Sequence, residues 1–196
     1  MRNRKTLYRI ILATRNKNKI IEIESIIGDF VMIEPPAGLP GIEIPECGRS
    51  LLENSLAKAA FVYRLRGQPT LADDSGLFVE ALDNEPGIYS ARYGKNDRER
   101  IARLLENLTG MKSRKAAFRA VFVYYYAPGK YESFEGECSG RIAPAPRGTN
   151  GFGYDPVFIP NGYRVTLAEL DPATKNRISH RARALNKFRE YILKNK

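Results

Sequence analysis

The sequence predicts a mixed α/β fold in one domain spanning residues 1–196. An apolar run at residues 8–13 is typical of a strand buried on both faces, and isoleucines at helical spacing follow it. Two segments rich in Val, Phe and Tyr flank residues 127–130, which predicts a long antiparallel hairpin. Strand–helix units combined with a hairpin-bearing sheet define the mixed class.

Composition narrows the function classes. A hydrophobic content of 43% is that of a globular protein, and no apolar run approaches the roughly 20 residues of a membrane span. The first apolar segment is short for a signal peptide, so we expect a cytoplasmic protein without a membrane partner. The net charge of +10 suits nucleic acid, an anionic membrane or a polyphosphate, although charge alone favours a merely solvated basic surface. Cys47 and Cys138 show no metal or redox spacing and are predicted to be free thiols, with a disulfide bridge as the less favoured alternative.

A polar, basic turn joins the first predicted strand to the first helix, which ends near Gly28. Its residues are Thr14, Arg15, Asn16, Lys17, Asn18 and Lys19. Proteins of the α/β class bind phosphate at such turns because the first N–H groups of the helix point outward. Lysines at a helix start oppose the helix dipole, which favours a bound anion over the alternative of a solvated turn.

The next segments predict a strand, a long loop and a strong helix. Residues 30–33 form the strand, and residues 35–48 form a Pro- and Gly-rich loop that carries Glu43 and Glu46. The helix spans residues 50–66, with Ser50 and Glu53 as a capping box. Asn54 and Lys58 share one face of this helix, which by itself indicates a solvated surface.

Two adjacent carboxylates follow the next apolar run. The pattern predicts a strand at 69–72, a sharp turn at 73–76 and a second strand at 77–79. Because Asp73 and Asp74 repel each other, a divalent cation or a shared proton must compensate, unless the carboxylates cap backbone N–H groups of the turn.

The second half of the chain predicts further loops and helices. A turn at 83–87 and a loop at 90–93 precede a helix at 97–108 with Asp97 as its cap. A loop at 141–153 holds three glycines around Phe152, and a strand at 154–159 follows. Short segments at 166–170 and 171–177 precede a last helix capped by Ser179, whose His180 looks like an ordinary surface residue. These loops and polar turns are predicted to converge in one cleft.

Six motifs occur in this order: Ala13-Thr14-x-Asn16-x-x-Lys19, Glu53-Asn54-Ser55-x-x-Lys58-Ala59, Ala72-Asp73-Asp74-Ser75-Gly76-Leu77, Pro86-Gly87-x-Tyr89-Ser90-Ala91-Arg92-Tyr93, Gly148-x-x-Gly151-Phe152-Gly153-Tyr154-Asp155-Pro156 and Lys175-x4-His180-Arg181. With them the chain resembles the inosine triphosphate pyrophosphatase family from about Tyr8 to about Leu193. Members hydrolyse non-standard purine nucleoside triphosphates such as ITP, dITP and XTP.

The resemblance implies the fold and the chemistry. It implies a long, bent mixed sheet flanked by helices, two lobes with a central active-site cleft, and a homodimer. It also implies Mg²⁺-dependent hydrolysis between the α- and β-phosphates, which gives a monophosphate and pyrophosphate and keeps such nucleotides out of DNA and RNA. The expected partner is the nucleotide substrate, with no stable nucleic-acid complex.

The resemblance further assigns residues. Asp74 is the expected metal ligand and proton acceptor with Asp73 beside it, and which of the two is the base stays open. Glu46 is the expected second metal ligand, with Glu43 as the alternative. The expected substrate-binding residues are Thr14, Arg15, Asn16, Lys17, Asn18, Lys19, Lys58, Ser75, Phe152, Gly153, Tyr154, Asp155, Lys175, His180 and Arg181. Arg15 and Asn18 depart from the pattern, because many members have glycine there.

Two other functions remain open at this point. A related pyrophosphatase acting on pyrimidine or modified nucleotides would share the general architecture. A nucleic-acid-binding module is suggested by the +10 charge and the Tyr-rich hairpin. Such aromatic residues more often fill a core or an interface.

Overall fold

A computed structural model describes residues 8–34 and 48–195 of the chain. The helices of this part are α1 (Lys17–Ile27), α2 (Leu51–Arg66), α3 (Asp97–Asn107), α4 (Pro172–Ile178) and α5 (His180–Lys194). The strands are β1 (Tyr8–Leu12), β2 (Val31–Glu34), β3 (Thr70–Val79), β4 (Lys115–Ala127), β5 (Lys130–Ile142) and β6 (Phe158–Pro160). Short 3-10 helices occupy Glu80–Leu82, Gly87–Arg92, Asp155–Val157 and Leu167–Glu169.

The six strands form one open mixed sheet in the order β2-β1-β3-β4-β5-β6. β1 pairs in parallel with both β2 and β3, as expected for the first strand–helix unit. β5 and β6 pair antiparallel. β4 and β5 are neighbours joined by a two-residue turn at Pro128 and Gly129, so the predicted hairpin is confirmed with longer arms. The predicted mixed α/β class is therefore confirmed.

The predicted turn at residues 73–76 is wrong, because β3 runs without interruption from Thr70 to Val79. Both carboxylates are buried and face cationic or amide groups, so a turn is not needed to relieve their repulsion. Gly76 instead allows the backbone of β3 to lie close to the backbone of Gly87. A Cβ at Gly76 would overlap the carbonyl oxygen of Gly87.

Three other local predictions need correction. The strand predicted at 154–159 begins only at Phe158, because the preceding residues Asp155–Val157 form a 3-10 turn. The residues predicted as a loop at 90–93 lie largely in the 3-10 helix Gly87–Arg92. Asn96, and not Asp97, caps α3, since the Asn96 side chain accepts a hydrogen bond from the Glu99 N–H.

The remaining helix starts follow from their capping residues. The Ser50 hydroxyl accepts a bond from the Glu53 N–H at 3.1 Å, which confirms the predicted cap. The reciprocal bond of the capping box is shifted by one residue, because the Glu53 carboxylate accepts from the Arg49 N–H at 2.7 Å. Ser179 is the predicted cap of α5 and accepts from the Ala182 N–H at 3.1 Å.

The described residues divide into two compact units, and β3 passes from one to the other between Asp74 and Ser75. Unit 1 holds the described residues up to Asp74, Val121–Glu135 and the described residues from Ala184 onward. Its buried side chains include Ile11, Ile23, Leu71, Phe122 and Phe188. The ring of Phe188 packs against Phe30, Tyr124 and Phe134, so the aromatic residues of the hairpin end fill a core, as the commoner reading expects.

Unit 2 holds Ser75–Ala120 and Gly136–Arg183. Its core packs one side of α3 with residues from four strands (β3, β4, β5 and β6) and the segment after β5. Members of this core are Leu77, Val79, Tyr93, Ile101, Leu104, Leu108, Ala116, Phe118, Cys138, Ile142, Tyr154, Val157, Phe158 and Leu167. Cys138 is a free thiol, as predicted, and burial raises its pKa, whereas Cys47 lies outside the described residues. Within the described residues, no helix is long and apolar enough to cross a membrane.

Candidate active site

Five polar side chains of unit 1 come together at the middle of β3, and we call them the acid–lysine group: Lys19, Asn54, Lys58, Asp73 and Asp74. Asp73 pairs with Lys19, whose Nζ lies 2.8 Å from the Asp73 Oδ2. The Asp73 side chain has no exposed surface, whereas that of Lys19 is 15% exposed. A lysine from the start of α1 therefore neutralises the more deeply buried carboxylate.

Asp74 faces two residues of α2. The Asn54 Nδ2 donates to the Asp74 Oδ2 at 2.9 Å, and the Lys58 Nζ lies 3.4 Å from the Oδ1. Asn54 and Lys58 are almost fully buried, so the solvated helix face expected from the sequence alone is wrong. Their i, i+4 spacing instead directs both side chains at one carboxylate.

Asn54 also ties this carboxylate to the chain that precedes α2. Its Oδ1 accepts a hydrogen bond from the Gly48 N–H at 2.7 Å. Both ends of the amide are thus used, which fixes its orientation. The sequence singled out the face that Asn54 shares with Lys58, but it did not include Asn54 among the candidate site residues.

Burial raises the pKa of Asp74, and the nearby Lys58 and Asn54 offset part of this effect. A carboxylate that burial makes costly to ionise is stabilised by a further cation. No cluster of three or more His, Cys, Asp or Glu side chains able to hold a metal occurs within residues 8–34 and 48–195. Glu43 and Glu46 lie outside the described residues. Magnesium commonly binds one or two carboxylates together with water and substrate phosphates, so the hard oxygen of Asp74 fits such an ion.

The predicted phosphate-binding turn has a defined shape. Asn16 is the N-cap of α1, and its Oδ1 accepts from the N–H groups of Asn18 and Lys19 at 3.0 and 3.2 Å. The Asn16 N–H donates to the Thr14 Oγ1 at 3.3 Å. Four residues of the turn are exposed, namely Arg15, Asn16, Lys17 and Asn18. Lys19 alone of the predicted residues in this turn joins the acid–lysine group.

A second set of predicted residues comes together in unit 2, and we call it the Phe152 group: Ser75, Phe152, Asp155, Lys175 and Arg181. The Lys175 Nζ and the Arg181 guanidinium carbon each lie 5.0 Å from the centre of the Phe152 ring. Lys175 forms a buried ion pair with Asp155. Arg181 donates to the Ser75 hydroxyl at 3.1 Å. An aromatic ring lined by two cations is a suitable platform for a flat, electron-rich ligand.

Two other predicted residues of unit 2, His180 and Tyr154, are buried. His180 is only 2% exposed and stacks on Phe118 with ring centres 4.8 Å apart, so its expected surface position is wrong. The Tyr154 hydroxyl donates to the Ser90 carbonyl at 3.0 Å. The Gly153 N–H donates to the Asp97 Oδ2 at 2.7 Å, a contact that no local pattern predicts because 56 residues separate the two.

Fold and side chains together define the class. It is a mixed α/β protein in which two consecutive buried carboxylates of β3 each face a lysine, one from α1 and one from α2. In unit 2, the ring of a loop phenylalanine lies near a lysine of α4 and an arginine of α5. The chain belongs to the Ham1 family, whose model matches residues 10–191.

Similar proteins agree with this assignment and with the resemblance seen in the sequence. The chain is 45% identical to a dITP/XTP pyrophosphatase of Deinococcus deserti, with 90% of this chain and 85% of the relative covered. It is also 45% identical to the dITP/XTP pyrophosphatase of Porphyromonas gingivalis, at 94% and 97% coverage. The solved structure of a HAM1 protein from Coxiella burnetii superposes with a TM-score of 0.88 at 37% identity, covering 96% of this chain and all of that one.

Proposed function

We propose that this protein hydrolyses ITP, dITP and XTP to the nucleoside monophosphate and pyrophosphate, and thereby keeps these nucleotides out of DNA and RNA. The observation that carries the proposal is the acid–lysine group, in which two consecutive buried carboxylates each face a lysine. Family membership and the relatives named dITP/XTP pyrophosphatase support the substrate class.

Asp74 is the proposed proton acceptor. Water attacks a phosphorus of the α–β anhydride, its oxygen bonds to that phosphorus, its proton passes to the Asp74 carboxylate, and the anhydride bond breaks. The raised pKa of Asp74 suits a general base, because burial destabilises the ionised carboxylate and so increases its affinity for a proton. Asn54 holds the carboxylate by one oxygen.

Lys19 and Lys58 are the proposed electrostatic partners of the phosphates, together with the turn that carries Thr14, Arg15 and Asn16. Lys58, which lies beside Asp74, is proposed to stabilise the charge that develops on the departing pyrophosphate, whereas Lys19 and the turn are proposed to bind the phosphates throughout the reaction. Asp74 and Glu46, with Glu43 as the alternative to Glu46, are the proposed holders of Mg²⁺. When bound, such an ion supplies charge neutralisation and lowers the pKa of coordinated water.

The Phe152 group is proposed to bind the nucleoside. Phe152 stacks on the purine, and the guanidinium of Arg181 and the Nζ of Lys175 are donors near that ring. A donor directed at the 6-position donates a hydrogen bond to a 6-oxo group, whereas the 6-amino group of adenine would leave two donors facing each other. His180 is buried against Phe118, which supports a role in holding the start of α5 beneath this donor.

The substrate panel is the direct test of this function. We expect pyrophosphate release from ITP, dITP and XTP to exceed that from ATP at least about a hundredfold in kcat/KM, the discrimination available to a site that pairs with one exocyclic group. Removing Mg²⁺ with a chelator should stop the reaction, and adding it back should restore the rate.

Three outcomes of the panel would contradict the proposal. Equal rates on ITP and ATP would remove the proposed base recognition. Release of orthophosphate only would place the cleavage elsewhere in the triphosphate. Preferential turnover of dTTP or UTP would indicate a pyrimidine nucleotide pyrophosphatase.

Lys19→Ala tests the phosphate contact. We expect KM for ITP to rise about tenfold with a smaller change in kcat, because a lysine that contacts the phosphates equally in the ground and transition states contributes uniform binding. Lys112→Ala, at an exposed lysine, is the matched control and should leave both constants unchanged. An unchanged KM in Lys19→Ala would assign Lys19 to holding Asp73 alone.

We propose two further properties. The protein acts in the cytoplasm, and, as the family resemblance implies, it forms a homodimer. Sedimentation of the purified protein over a range of concentrations measures the second property.

A further inference from the structure

Two consecutive backbone N–H groups beside Phe152 donate to carboxylates. The Phe152 N–H donates to the Asp155 Oδ2 at 2.8 Å, and the Gly153 N–H donates to the Asp97 Oδ2 at 2.7 Å. Asp155 is part of the Phe152 group, but Asp97 comes from the first turn of α3. The loop that carries the ring is therefore held from two separate elements of unit 2.

The orientation of Asp97 is itself fixed. Its Oδ1 accepts from the Arg100 Nη1 at 2.7 Å, and the Nε of Arg100 donates to the Gly94 carbonyl at 3.2 Å. Each carboxylate oxygen of Asp97 thus has one defined donor. The capping role that the sequence assigned to Asp97 belongs to Asn96, so Asp97 is available for the loop.

The loop needs such a tether. Gly151 and Gly153 have φ angles of +76° and +63°, in the left-handed region that glycine adopts readily. A segment with glycine on both sides of Phe152 has many accessible conformations, and ordering it on ligand binding would cost affinity. A hydrogen bond to a charged acceptor is stronger than a neutral one, so Asp97 restricts this freedom before the ligand arrives.

We propose that Asp97 is a positioning residue that preorganises Phe152 for the nucleobase and so sets the affinity for the nucleoside part of the substrate. This inference rests on the proposed function, in which Phe152 stacks on the purine. Asp97 contacts no phosphate in this scheme. Its removal should therefore weaken ligands that carry a base and spare ligands that are phosphate only.

Three variants test the proposal. In Asp97→Ala we expect KM for ITP to rise about tenfold, with kcat within about threefold of the parent. Asp97→Asn retains one amide oxygen, which can accept from either the Gly153 N–H or the Arg100 Nη1 but not from both, so its KM should lie between those of Asp97→Ala and the parent. Glu99→Ala removes the same charge from the same helix turn, where Glu99 accepts from Lys95 and Asn96, and should match the parent.

Inorganic tripolyphosphate separates positioning of the base from a general loss of structure. Its inhibition constant against ITP should stay within about twofold in all three variants, because it has no base to stack. A parallel rise of this constant and of KM in Asp97→Ala, or a KM within twofold of the parent, would overturn the proposal.

Amide hydrogen exchange gives a readout that does not depend on catalysis. The Gly153 amide should exchange at least about tenfold faster in Asp97→Ala and at the parental rate in Glu99→Ala. The two proposals fail separately. A parent protein that releases no pyrophosphate from ITP would contradict the proposed function. An unchanged exchange rate of the Gly153 amide in Asp97→Ala would contradict the role of Asp97 in holding the loop.

Discussion

Replacing Asp74 with asparagine is expected to abolish turnover, lowering kcat at least about a thousandfold, or about 4 kcal/mol of transition-state stabilisation. The amide has nearly the same volume but cannot take the proton of the attacking water. In the parent protein the Asn54 Nδ2 donates to the Asp74 carboxylate, and the Lys58 Nζ lies close to it. The substitution places an NH₂ group where one of these two donors now meets an oxygen. Steady-state pyrophosphate release measures the loss.

The fold should survive this substitution. Burial raises the pKa of Asp74, so the ionised carboxylate costs folding free energy near neutral pH, and a neutral amide removes that cost. This gain is offset because Lys58, whose side chain is only 6% exposed, loses its ionic partner and keeps only the amide oxygen as an acceptor. We therefore expect the unfolding temperature of Asp74→Asn to fall by no more than a few degrees. A large fall would mean that Asp74 is needed for folding and would leave its chemical role to be tested with Asp74→Glu.

Asp73→Asn is the matched comparison for the open choice of base. Its carboxylate is fully buried and bonded to Lys19 at 2.8 Å, which leaves it less able to reach a water molecule. We expect this variant to retain measurable kcat. Its KM should be higher, because Lys19 loses the carboxylate that holds it in place. Activity that persists in Asp74→Asn and vanishes in Asp73→Asn would reverse the assignment.

Local signals predicted the elements of this fold well, because capping residues and apolar periodicity act over a few residues. Ser50 and Ser179 begin α2 and α5 as predicted, and the hairpin follows from its β-prone arms. The segment at 73–76 was misread because two acids, a serine and a glycine usually make a turn. Their partners, Lys19 and Lys58, lie far away in sequence and are visible only in the folded chain.

The same limit explains the site residues that were missed. Asn54 looked solvated because its partners are an aspartate 20 residues away and a backbone N–H outside the helix. Asp97 looked like a cap because helix starts favour aspartate, although Asn96 stands one residue earlier and takes that role. Composition and periodicity carry no information on such long-range pairs. Only the family motifs indicated which residues on different elements act together.

Replacing Asp155 with alanine is expected to produce the largest loss of stability among these variants, about 3 kcal/mol or more in the free energy of unfolding. The side chains of Asp155 and Lys175 are each only 5% exposed, and removing one partner of a buried ion pair leaves the other charge poorly compensated. The Phe152 N–H also loses its acceptor. Urea denaturation followed by circular dichroism measures the change.

Glu137→Ala is the control for loss of an ion pair as such. Glu137 pairs with Arg119 at 3.0 Å, but both side chains are 47% exposed, so this substitution should cost no more than about 1 kcal/mol. Equal losses of unfolding free energy in Glu137→Ala and Asp155→Ala would show that burial of the Asp155–Lys175 pair does not increase its contribution to stability.

The double variant Asp155→Ala with Lys175→Met separates the two roles of Asp155. It removes both buried charges, so we expect it to recover much of the stability that Asp155→Ala loses. The Phe152 N–H still lacks its acceptor, and a cation is gone from the face of the ring. KM for ITP should therefore remain high in the double variant while the free energy of unfolding returns toward the parent. Recovery of both together would mean that Asp155 acts on the substrate only through the stability of unit 2.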